Sequence, residues 1–106
     1  MKNGKGFVVS AISWAFDKIE ILTEETRVVL LINGREEKLK EDGRFIPLSF
    51  DCRKYYDPRK ISENIRKKLG YMQLEDGKDI DGFLDAFVSL CKQTEKNYKK
   101  NIDKKY

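Results

Sequence analysis

The chain has 106 residues, of which 40% are apolar and 38% charged, and a formal net charge of +4. That length suits one domain spanning residues 1–106, because two cores would each bury too little apolar surface, and the periodic apolar clusters argue against disorder. Histidine is absent and the two cysteines, Cys52 and Cys91, lack CxxC spacing, which excludes Ser-His-Asp and Cys-His catalysis, most zinc sites and a disulfide framework within the chain.

At the start, Lys2 and Lys5 precede an apolar run at residues 7–16. It resembles a signal peptide only superficially, for it lacks an A-x-A-like cleavage site and is too short to span a bilayer. A cytoplasmic protein without membrane contact is expected, with both thiols free. The run fits two periods: Val8, Ile12, Phe16 and Ile19 have helical spacing, while Ile12, Trp14 and Phe16 alternate as in a strand. A helix is favoured.

Residues 18–23 alternate Ile19 and Ile21 and predict a first strand. Residues 27–32 are β-branched and apolar and run into Asn33-Gly34, the strongest short hairpin signal. The return strand, residues 35–40, is charged, as suits an edge. Asp42-Gly43 predicts another tight turn. Residues 44–50 then place Ile46, Leu48 and Phe50 on one face of a strand that Pro47 confines to an edge.

The second half predicts two helices. Asp57 and Pro58 form an N-cap and first-turn pair, Ile61, Ile65 and Leu69 form the apolar stripe, and Gly70 supplies a stop. After a turn at Asp76-Gly77, helical spacing links Ile80, Phe83, Leu84, Phe87, Val88, Cys91, Tyr98 and Ile102. A helix over residues 79–105 would be about 40 Å long, against a body roughly 35 Å across. Tyr98 and Ile102 therefore become candidates for a homodimer or partner contact at an overhanging end. The expected fold class is α+β: a small antiparallel sheet, with its hairpin at Asn33-Gly34, packed against two C-terminal helices, preceded by an N-terminal helix or strand.

Charge falls in blocks. Residues 1–50 carry eight basic and eight acidic side chains; residues 51–69 carry seven basic against three acidic; residues 70–91 carry one against five; and residues 92–106 carry six against two. The acidic residues Asp79, Asp81 and Asp85 around Gly82 resemble the centre of a calcium loop, but Gly77 and Val88 stand where its terminal ligands belong. Acids offsetting a helix N-terminus explain them better. No metal or cofactor is expected. The lysine-rich stretch 92–106 reads as a solubilising helix end or tail rather than a gripping arm.

The first positive block carries the best functional signal. Arg59, Lys60, Arg66 and Lys67 project opposite Ile61 and Ile65, and Lys68 lies beside the stripe and snorkels. Arg53, Lys54, Tyr55 and Tyr56 immediately precede that helix. Cations hold phosphates and tyrosines stack bases, so this segment points to nucleic acid or a ribonucleoprotein. The plainer reading is a solvated helix face. No Gly-rich phosphate loop, nucleophile elbow or metal cluster occurs, and a non-catalytic binding module is expected. The alternative is a protein-protein inhibitor or adaptor with an acidic partner. Lysine outnumbers arginine sixteen to six, a usage common in small proteins of phages and mobile elements, for which a host factor would be the target.

Overall fold

The computed structural model describes the backbone of residues 7–14, 17–72 and 77–104, and side chains over 17–72 and 80–100. It is α+β. Three strands, β1 (Phe7–Trp14), β2 (Asp17–Thr23) and β3 (Arg27–Ile32), form an antiparallel meander. The far edge of β3 is shared by two short strands: β4 (Arg35–Glu36) pairs its end, and β7 (Phe50–Asp51) pairs its beginning. Between these two the chain makes a separate hairpin of β5 (Leu39–Glu41) and β6 (Arg44–Ile46). Two helices follow, α1 (Pro58–Tyr71) and α2 (Gly77–Lys104).

Residues 7–14 form a strand, not the favoured helix. In β1, Ile12 is partnered with Ile19, and Ser10 with Ile21, with a register shift between Val8 and Ser10. The two-residue period of this β-branched stretch wins because β2 offers a ladder that matches it. The rest of the run, Ala15 and Phe16, lies outside the described residues, as do residues 73–76 with the Asp76 half of the expected turn.

Both Asx-Gly turns form as the sequence predicts. Asn33 and Gly34 have φ of 54° and 80°, Asp42 and Gly43 have φ of 53° and 76°, and each pair joins strands in register, Ile32 opposite Arg35 and Glu41 opposite Arg44. Positive φ at both central residues is the geometry of a two-residue hairpin whose twist matches its strands. Asn33 does more than turn. Its side-chain oxygen accepts from the Lys18 backbone N–H at 2.9 Å, and its amide donates to Asp17 at 2.9 Å, tying this turn to the start of β2.

Three sequence expectations are corrected. The strand expected over residues 44–50 breaks into β6 and β7, because Pro47 supplies no N–H for a ladder; Leu48 and Phe50 are nevertheless buried. The return strand likewise divides between β4 and β5. Gly70 does not stop α1, which continues to Tyr71 with Met72 as C-cap; Leu69 is fully buried beside it, and its packing carries the helix through the glycine.

The core lies between the sheet and the helices. Ile19 and Ile21 of β2 and Val28, Leu30 and Ile32 of β3 meet Ile61, Ile65 and Leu69 of α1 and Ile80, Phe83, Leu84, Phe87 and Cys91 of α2. The helix start is built as expected, for the Asp57 carboxylate accepts from the Arg59 N–H at 3.0 Å. At 28 residues, α2 is about 42 Å long, and the longest extent of the molecule is 48 Å. Asp81, Gly82 and Asp85 sit inside this helix, not in a loop. Among the described residues no helix is long and apolar enough to cross a membrane.

Candidate nucleic-acid interface

The basic segment 53–68 is divided by its neighbours. Asp51, 8% exposed, accepts from the Arg53 backbone N–H at 2.9 Å and from its guanidinium at 3.1 and 2.9 Å. These bonds from Arg53 hold the carboxyl below its usual range. Arg66 pairs with Asp81 of α2. Lys67 reaches Glu41 of β5 at 3.2 Å, and the Tyr71 hydroxyl donates to the same carboxylate at 3.1 Å, which lowers the Glu41 pKa and raises that of Tyr71. Lys68 snorkels toward Glu37 at 3.7 Å and donates to the Lys38 carbonyl at 3.4 Å. The sequence predicts these cations; it does not show which carboxylates the fold brings to them.

Three cations of the block form no ion pair among the described residues, Lys54, Arg59 and Lys60, although the Lys54 charge helps to lower the Asp51 pKa. Lys54 and Lys60 are exposed, as is Arg59. Beside them Tyr55 stands fully in solvent, while Tyr56 is half-buried against the core. Lys54 Nζ lies 6.0 Å from the Tyr56 ring centroid. Glu63, also exposed, shares the outer face of α1 and dilutes it toward the middle of the helix. The positive end is therefore the N-terminal end of α1 and the loop before it.

The C-terminal positive block lies on α2, downstream of its acidic start. Asp81, Asp85, Lys92 and Lys99 follow one another at spacings of four, seven and seven residues, so they occupy one flank of α2. The Arg66–Asp81 pair identifies that flank as the one turned to α1. Farther along α2, Glu95 acts electrostatically on Cys52 and Tyr98 on Arg53, which sets this part of the helix beside the 52–56 loop. Tyr98 is half-buried within its own chain. The side chain of Ile102 lies outside the described residues.

A second set of residues was not legible in the sequence. Strand parity puts Lys38, Lys40 and Phe45 on the outer face of the β5–β6 hairpin, with Leu39 and Ile46 turned inward. Phe45 is 67% exposed, and the Lys38 and Lys40 ammonium groups lie 5.4 and 5.8 Å from its centroid. Below this hairpin, where β4 and β7 part, is a cleft of about 310 Å³ lined by Arg27, Glu36, Lys38, Phe45, Lys54 and Tyr56 among others. Arg27 closes its floor, donating to Glu24 at 3.2 Å, Glu36 at 2.6 Å and Ser49 at 3.4 Å. Only an alternating Lys-x-Lys pattern and one phenylalanine across a turn hinted at the site.

Neither thiol is an activated nucleophile. Burial pushes the Cys91 thiol well above its ordinary value, and burial with the neighbouring Asp51 charge raises that of Cys52. Among the described residues no group of His, Cys, Asp and Glu could hold a metal ion. Compared with protein-family models, curated protein sequences and solved structures, the chain matches none.

Proposed function

We infer that the protein is a non-catalytic binding module for nucleic acid, alone or in a ribonucleoprotein, and that Lys54, Arg59 and Lys60 hold phosphates while Tyr55 stacks on a base. The observation that carries this reading is the fully exposed Tyr55 ring beside three exposed cations that form no ion pair among the described residues. Stacking needs an accessible π face, and phosphate binding needs charge not already spent in ion pairs. Arg53, Arg66 and Lys67, engaged with Asp51, Asp81 and Glu41, support the surface rather than touch the ligand. Two free thiols suit a reducing, cytoplasmic setting.

Fluorescence anisotropy with labelled oligonucleotides tests this. With three phosphate contacts, affinity falls about 20- to 40-fold between 50 and 200 mM salt. The triple variant Lys54→Glu, Arg59→Glu, Lys60→Glu abolishes binding at either salt. No binding by the natural protein at 50 mM salt, or binding indifferent to salt, overturns the reading.

A further inference from the structure

The cleft beneath the β5–β6 hairpin has an unusual division of charge. Each lining carboxylate is already held by a cation: Glu36 by Arg27, Glu37 by Lys68 and Asp51 by Arg53. Lys38 and Lys54 form no ion pair among the described residues, although the Lys54 charge helps to lower the Asp51 pKa, and each sits against an aromatic ring that also lines the cleft, Phe45 and Tyr56 respectively. Rings and unspent ammonium groups together recognise a planar aromatic group that carries an anion. The volume, about 310 Å³, is at the low end for ligand pockets, which run from about 300 to 1,000 Å³, and suits one such group.

We propose that the cleft takes a single unstacked nucleotide, its base against Phe45 and Tyr56 and its phosphate on Lys38 and Lys54. This rests on the nucleic-acid reading above, because Lys54 belongs both to the cleft and to the loop that carries Tyr55. A strand that places one base on Tyr55 and drops its neighbour into the cleft must be single, since a duplex keeps its bases paired and stacked. The protein therefore prefers single strands to duplexes. The same chemistry would accept a free mononucleotide.

The test compares a labelled single-stranded 12-mer with the same sequence as a blunt duplex, for the natural protein, for Phe45→Ala and for the Lys54, Arg59, Lys60 triple variant. Phe45 is largely exposed, so its removal leaves the thermal midpoint near that of the natural protein, which is checked first. The proposal expects tighter binding of the single strand and a loss of roughly 5- to 150-fold for it with Phe45→Ala, with little change for the duplex. Equal affinity for both strands, untouched by Phe45→Ala but abolished in the triple variant, overturns the cleft proposal and leaves the nucleic-acid reading standing. No binding to either form overturns both. A further titration with a mononucleotide, followed by amide chemical shifts around Phe45 and Tyr56, separates the sources. Saturation at micromolar concentration assigns the cleft to a free nucleotide, and saturation only with the strand assigns it to a base within one.

Discussion

Asp51 joins three jobs in one residue. Its backbone pairs with Arg27 across β7 and β3, its carbonyl accepts from the Lys54 N–H at 3.0 Å, and its side chain gathers the Arg53 main chain and guanidinium. The loop that presents Lys54 and Tyr55 is thus shaped by an acid, not by the cations it displays. Because the folded-state pKa of Asp51 is depressed, its contribution to stability is present above the ordinary carboxylate pKa, about 3.9. It is lost as pH falls through the lower folded value. Urea unfolding between pH 2 and pH 7 will show an acid limb that is shallower in Asp51→Asn than in the natural protein. A limb of unchanged steepness would remove Asp51 from this role.

At the scale of the element, the two Asx-Gly turns control register. Gly34 and Gly43 hold φ of 80° and 76°, and a Cβ built on either meets nothing within 4 Å. The cost of Gly34→Ala is therefore backbone strain alone, about 1–2 kcal/mol, read as a lower denaturation midpoint; an unchanged midpoint would show that the turn relaxes. Such turns were legible because their chemistry is local. So was α1, where Asp57, Pro58 and the Ile61, Ile65, Leu69 stripe each carry their own signal. The identity of β1 was not, since residues 7–14 satisfy both periods until β2 is beside them. Nor was the division of residues 35–50 into four short strands, which depends on β3 offering one edge to two partners. For the site, the cations of α1 could be read from helical spacing, but their neutralisation by Asp81 and Glu41 comes from elements 15 and 26 residues away.

Across the molecule, α2 is the common partner of the sheet and of α1. Phe87, fully buried among Ile19, Leu30 and Ile65 in one cluster, stands near its middle. Replacing Phe87 by Ala removes about 3–5 kcal/mol, a large part of the roughly 5–15 kcal/mol that holds a domain of this size. Unfolding followed by far-ultraviolet dichroism and by tryptophan fluorescence will shift together, because a single core joins both layers. Separate shifts would mean that sheet and helices open independently. The arrangement of charge is also a property of the whole. Blocks that sum to +4 in sequence fold so that Arg66 of α1 meets Asp81 of α2 and Lys67 meets Glu41 of β5.

The β5–β6 hairpin forms its own two-stranded ladder, and no backbone hydrogen bond joins it to the five-stranded sheet among the described residues. Besides the buried Leu39 and the partly buried Ile46, it is moored by exposed polar contacts: Lys67 and Tyr71 to Glu41, and Lys68 to Glu37 and the Lys38 carbonyl. Such moorings open in local fluctuations well below the energy of global unfolding, and dissolved ions screen them. Ionic strength therefore acts on the protein's own fold, loosening the hairpin that forms one wall of the cleft.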